Sequence, residues 1–401
     1  MVTIEQLLAF MIQHDSSDLF VTAGRPPSFK ISGGVKPAGK QPLSNEDTIR
    51  LAQSCMDEAD WNEFLQKKEQ NIALYYPEIG RFRLNAYYQK KSVALVIRKI
   101  PTEILSLDDL KLPDVLRSVS MVSRGLVLVV GATGSGKSTT LAAMIDHRNR
   151  NEAGHIVTIE DPVEFVHEHK KCVVSQREVG VDTDSFKAAL KNTLRQAPTV
   201  ILIGEIRDEE TMEYAINFAE TGHLCLATLH SNNANQAMER VMNFFPPERH
   251  RQIYLQLSLN LKGIISQRLI KTKEGGRAAA IEVLLGTARV RELIKQGEVD
   301  AIKDAMEKGT NEGMQTFDQA LLRLALDGRI SEEEALKNAD SVADLKLKIK
   351  LAQVGAGKNG GSVPGEGATL DALDGGFSLD DETPEPSAPE GELQSPTETP
   401  A

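Results

Sequence analysis

Leu126-Val-Leu-Val-Val130 runs directly into Gly131-Ala-Thr-Gly-Ser-Gly-Lys-Ser138, and that junction decides the fold. The apolar run reads as a strand buried on both faces. The octet fits G-x-x-x-x-G-K-[ST], and Thr139 to Ile145 continues as a helix. The glycines permit a tight loop whose N–H groups face an anion, and the helix N-terminus adds positive potential. Lys137 supplies a charge for β/γ-phosphates, and the Ser138 hydroxyl supplies a ligand for Mg²⁺. The candidate cradle is therefore Gly131, Ala132, Thr133, Gly134, Ser135, Gly136, Lys137, Ser138 and Thr139. A glycine turn with an incidental lysine would lack the strand before and the helix after.

Three further apolar runs follow: Ile156-Val-Thr-Ile159, Val200-Ile-Leu-Ile203 and Leu224-Cys-Leu-Ala-Thr-Leu229. Apolar runs alternating with helical segments predict a parallel sheet with crossover helices, an α/β fold. Each run ends in polar chemistry, at Glu160-Asp161, at Gly204-Glu205 and at His230. Ligands of open α/β sheets bind outside the carboxyl ends of the strands, so these endings are expected to converge on one site. Glu205 stands where an acid can hold a Mg²⁺ shell, directly or through water. Glu160 is placed to polarise an attacking water. Spacing names this pair more firmly than it assigns the two roles. His230 can hydrogen-bond a γ-phosphate, whereas His223 lies at the opposite end of its strand and serves something else.

The first hundred residues read as a separate α+β unit. Ile4, Leu7, Leu8, Met11 and Ile12 recur at helical spacing, Asp18 to Thr22 reads as a strand, and Gly24-Arg-Pro-Pro27 as a turn. Arg81 to Tyr88 and Val93 to Arg98 fit paired strands, and alternation sets Arg81 and Arg83 on one face. With Arg98, these arginines are candidates for reaching a nucleotide across a domain or subunit boundary. The expected organisation is residues 1–100, a linker over 101–115, the strand-rich body over 116–354, and a tail over 355–401.

That tail is rich in Gly, Pro, Ser and acids, a composition that predicts disorder. Residues 361–401 hold ten Asp or Glu and no Lys or Arg, so residues 1–360 are left near neutral although the whole chain carries −11. A neutral body lacks the electrostatic footprint of a nucleic-acid partner, which makes a DNA translocase the weakest reading. Leu370, Leu373, Phe377 and Leu379 form a sparse apolar set there, suited to a docking motif or simply solvated. The 3 cysteines, Cys55, Cys172 and Cys225, are scattered and give no disulfide framework and no paired zinc site. No apolar run approaches the ~20 residues of a bilayer span. Met1 to Phe10 carries Glu5 and has no secretory pattern, so a cytoplasmic chain is expected.

Four ordered blocks resemble those of the type II/IV secretion ATPases. Gly131 to Thr139 is similar to the Walker A, Thr158-Ile-Glu-Asp-Pro-Val-Glu164 to the Asp box, Ile203-Gly-Glu-Ile-Arg-Asp208 to the Walker B, and Thr221 to His230 to the His box. The resemblance covers about residues 1–350. It implies a RecA-like ATPase domain, a PAS-like N-terminal domain, and a homo-hexameric ring with ATP and Mg²⁺ between the two domains. It makes Glu160 the catalytic glutamate, Glu205 the Walker B acid, and Arg81, Arg83 and Arg98 the N-domain arginines.

Within that family, Ser17 to Pro27 resembles the compact pilus-retraction motors. Arg195-Gln-Ala-Pro198 and Leu224 to Ala234 resemble the PilU-type rather than the PilT-type paralogues. Action beside a PilT-type motor, force transfer to an inner-membrane platform protein, and membrane association through partners alone are implied by that resemblance. A low-turnover coupling or regulatory subunit is the alternative. Ala197-Pro198-Thr199 departs from the acids many members carry before the Walker B strand, and Ala288 to Ile294 only loosely resembles a short C-terminal motif.

Overall fold

The computed structural model describes residues 2–31, 33–101 and 103–358. Most of the tail expected over 355–401 lies outside them. The chain builds two sheets. The first holds β1 (Asp18–Thr22), β2 (Ser28–Ile31), β3 (Gly34–Pro37), β4 (Glu69–Tyr76), β5 (Gly80–Gln89) and β6 (Ser92–Ile100) in the order 3-2-1-6-5-4. All its neighbours pair antiparallel. Period-two alternation buries Phe82, Leu84 and Ala86 of β5 against Ile4, Leu8 and Phe64 of the covering helices. Arg81 and Arg83 therefore occupy the other face, with Arg98 of β6 opposite Arg83.

The second sheet contains β7 (Gly125–Val130), β8 (Gly154–Glu160), β9 (Cys172–Glu178), β10 (Val200–Ile203), β11 (Leu224–Leu229), β12 (Leu261–Lys271) and β13 (Arg277–Leu285). Their order is 13-12-7-11-10-8-9. Only the β12–β13 hairpin is antiparallel among its pairs, so this α/β fold has a mixed sheet. Every residue of β7 and of β11 is buried, which explains why these strands read as unbroken apolar runs. Leu126, Leu128 and Val130 face one layer with Met212 and Phe218, while Val127 and Val129 face Leu141, Met144 and Ile145. Each such side chain contributes about 1.5–3 kcal/mol by leaving water. A smaller core of Ile270, Ala280, Phe317, Leu321 and Ile330 fixes the following helices to the hairpin.

The helix expected from Thr139 to Ile145 spans Lys137–Asn151. It begins earlier because Gly136, at φ +90°, closes the loop in a left-handed conformation. Strands β9, β12 and β13 had no counterpart in the sequence reading. The Pro101 to Pro113 stretch is not a free tether, for Leu107 and Leu112 are buried with the large sheet's core. Cys55, Cys172 and Cys225 are free and buried. Among the described residues no helix is long and apolar enough to cross a membrane.

Candidate functional site

The carboxyl ends of β7, β8, β10 and β11 open into one cavity of about 520 Å³. Thr133 to Thr139 line one wall, and Glu160, Asp161, Gly204, Glu205, Thr228 and His230 line the others. Parallel register brings them together, since Ile203 pairs with both Ile159 and Ala227 and the next residues of all three strands emerge side by side. Gly204 is required where β10 leaves the sheet. A Cβ there would stand 3.0 Å from Glu160 Cα and 3.2 Å from the Ile159 carbonyl.

The helix Lys137–Asn151 starts with no side-chain cap on its first N–H groups, which leaves them free for an anion. Ser135 Oγ is buried without a hydrogen-bond partner. Lys137 Nζ donates to the Gly131 and Ala132 carbonyls, at 2.8 and 3.0 Å. Burial pushes its ammonium below the ordinary lysine value, and the charges of Glu205 and Glu164 oppose that shift. Free helix amides, an orphan hydroxyl and a desolvated ammonium together fit a polyphosphate. Hard oxygen donors at Ser138 and Glu205 suit Mg²⁺, which takes one or two protein ligands and completes its shell with phosphate and water. Among the described residues no group of three or more His, Cys, Asp or Glu side chains is placed to hold a metal ion.

The two acids differ in surroundings. Glu160 Oε1 accepts from Thr158 Oγ1 at 2.7 Å and from Gln176 Nε2 at 3.2 Å. Burial raises its carboxyl above the usual range in spite of these two donors and of the Glu164 backbone N–H. Glu205 instead meets charge. Arg207 Nε lies 2.7 Å from its Oε2, and His230 Nε2 lies 3.1 Å from its Oε1. Arg207 also reaches Asp161 at 3.3 Å, joining the ends of β8 and β10.

The Type II/IV secretion system protein family matches residues 3–274. The chain belongs to that family. It is 55% identical over 348 residues to the Type IV pilus ATPase PilU of Pseudomonas aeruginosa, covering 86% of this chain and 91% of that one. Identity to the Type IV pilus retractation ATPase PilT of the same organism is 44% over 336 residues, covering 84% and 98%. A crystal structure of the pilus retraction motor PilT with bound ADP superposes with a TM-score of 0.82 at 40% identity, covering 86% of this chain and all of that one.

Not every candidate of this secretion-family chain reaches the cavity. Arg81, Arg83 and Arg98 are absent from its lining. Arg81 stacks on Tyr75 with 4.7 Å to the ring centroid, and Arg98 Nε donates to Asp18 at 2.7 Å. Arg83 lies near the half-buried Glu178 at the end of β9, whose carboxyl desolvation raises above the usual range while the Val163 N–H and then the Arg83 charge oppose that shift. His223 bonds Thr221 and the Phe218 carbonyl at the far end of β11, away from His230.

Three residues went unnoticed in the sequence: Gln176, His167 and Gln267. Gln176 touches Glu160, and His167 lines the cavity with a buried, unpartnered Nδ1. Gln267 of β12 accepts from Thr140 at 2.6 Å, and its Nε2 would lie 2.7 Å from a Cβ on Gly136. Polar residues inside two strand-like stretches were the available signal. The departure at Ala197-Pro198-Thr199 also finds a use, because Thr199 Oγ1 bonds the His155 N–H and carbonyl at 3.1 Å each.

Proposed function

We propose that the chain is a PilU-like ATPase subunit of a type IV pilus retraction motor. The observation that carries this reading is the convergence of four strand ends on one cavity beside the phosphate loop. The likeness to PilU and PilT over most of each chain supports the pilus assignment. In this reading residues 116–354 are a RecA-like ATPase domain, residues 1–100 a PAS-like domain, and 101–115 their connection. Six copies form a ring at the cytoplasmic face of the inner membrane. They work with a PilT-type motor and pass force to a platform protein in the membrane.

The free N–H groups at the start of the helix Lys137–Asn151 take the β-phosphate of ATP, and the Ser135 hydroxyl gains the acceptor it lacks. Lys137 exchanges the loop carbonyls it now holds for phosphate oxygens, stronger charge-assisted acceptors. Ser138 and Glu205 would hold Mg²⁺, which when bound neutralises charge on the β- and γ-phosphates. Glu160 takes a proton from the water that attacks the γ-phosphorus, and burial, by raising its carboxyl above the usual range, makes it a stronger base than an exposed glutamate. ADP and inorganic phosphate leave. His230, held on Glu205, senses the γ-phosphate at the end of β11. Closure of the N-terminal sheet brings its arginines to the transferred charge, so nucleotide state sets domain orientation.

The test is turnover and retraction in Lys137→Ala and Glu160→Gln, in cells with and without a PilT-type motor. A motor subunit loses ATPase at least 100-fold in both, and retraction carried by this chain stops. Retraction that survives Glu160→Gln whenever the PilT-type motor is present would instead mark a coupling subunit.

A further inference from the structure

Register in the large sheet sets Thr158 of β8 directly beside Gln176 of β9. Thr158 and Glu160 are two residues apart and share a face, so three side chains meet at the end of one strand pair. Thr158 is fully buried, and its hydroxyl donates to Glu160 Oε1 at 2.7 Å. Gln176 Nε2 donates to the same oxygen at 3.2 Å and to the Phe165 carbonyl at 2.8 Å. Its Oε1 accepts the His167 N–H at 2.7 Å, which fixes the orientation of the amide.

Both donors bind the same oxygen. Neither of these two donors serves Oε2, the Glu164 backbone N–H is a further and weaker donor to the carboxylate, and turning it away from Thr158 and Gln176 costs two hydrogen bonds in a desolvated place. The other ends of Gln176 grip the segment after Asp161, the loop that forms a wall of the cavity beside Pro162, Glu164 and Phe165. From this geometry we infer that Thr158 and Gln176 are positioning residues. They lock the Glu160 carboxylate with Oε2 presented to the attacking water, and Gln176 ties that aim to the placement of the 161–169 loop. This inference rests on Glu160 being the base.

The test uses the full-length chain with the variants Thr158→Val, Thr158→Ser, Gln176→Leu, Gln176→Glu and Glu160→Gln. Thr158→Val keeps shape and removes the hydroxyl, and Thr158→Ser restores it. Gln176→Glu keeps size and the acceptor for His167 but removes both amide donations. Steady-state kcat and KM for ATP are measured beside nucleotide-analogue affinity and melting temperature. The inference expects Thr158→Val, Gln176→Leu and Gln176→Glu each to lower kcat about 10-fold or more, a misplaced group costing up to 10²-fold. KM and analogue affinity stay within about 2-fold, and Thr158→Ser recovers most of the rate.

If Glu160→Gln abolishes turnover while these three variants keep kcat within about 2-fold, the positioning role is overturned. A fall in analogue affinity that tracks a fall in melting temperature, unrepaired by Thr158→Ser, overturns it too and leaves a structural role. Full turnover in Glu160→Gln is a separate outcome, for it removes the assignment of the base itself.

Discussion

His167 shows how one side chain ties the site to pH. It belongs to the loop after Asp161, is 8% exposed, and burial pushes its imidazole down to about 4, with Asp146 opposing that shift and Lys170 adding to it. The unfolded chain takes up this proton near the ordinary histidine value, about 6.5, whereas the folded chain resists until about 4. The stabilisation is therefore complete above pH 6.5 and is lost as pH falls from there towards 4. Between pH 7 and pH 5 the wild-type chain should lose about 2 kcal/mol more stability than His167→Gln, which cannot titrate. Urea unfolding at the two pH values checks this, and equal losses in both proteins would refute it. Glu160 and Glu205, two cavity acids at the ends of adjacent parallel strands, show the same dependence on surroundings. Neutral donors hold one, and the Arg207 guanidinium and His230 imidazole hold the other.

Strand β12 does for the phosphate loop what its immediate neighbours cannot. It lies beside β7, so Gln267 reaches under the loop to Thr140 on the first turns of the helix Lys137–Asn151. Both partners are buried, at 1% and 3% exposure. Thr140→Val leaves Gln267 Oε1 without its donor, at a cost of about 1–3 kcal/mol. Denaturant unfolding should show that loss, and nucleotide affinity should weaken with it because Gln267 also packs against Gly136. An unchanged unfolding midpoint would mean water replaces the hydroxyl freely. This element also marks the limit of legibility. Strands β7, β8, β10 and β11 were plain in the sequence because burial on both faces leaves each a nearly unbroken apolar run. Strands β9 and β12 carry Gln176, Gln267 and Arg268 inward to partners far along the chain, so no local period announces them. Glu160, Glu205 and Lys137 could be named from where apolar runs stop. Their supporting residues depend on register, which emerges only when the strands pair.

Across the whole molecule the open question is how the antiparallel sheet acts on chemistry at the parallel one. The three candidate arginines are occupied differently. Arg98 faces Asp18, which burial alone would raise; the Arg98 and Ser17 hydrogen bonds and the Lys30 charge instead hold it below the usual carboxylate range. Arg81 lies over Tyr75. The charge of Arg83 is felt by a group of the large sheet, at Glu178, which accepts the Val163 N–H and so stands next to the loop that Gln176 anchors. The arginines are thus predicted to separate by substitution. Arg98→Ala should weaken the N-terminal sheet, lowering its melting temperature at neutral pH and losing that effect once acid protonates Asp18. Arg83→Ala should leave melting, nucleotide affinity and oligomer mass unchanged while cutting kcat about 100-fold, because a clamp on transferred charge acts in the transition state. Native mass measurement and steady-state kinetics on the two variants decide the matter. If Arg83→Ala turns over normally, the sheet that carries it regulates assembly alone, and the positive charge at the closed site must come from the large sheet's own residues.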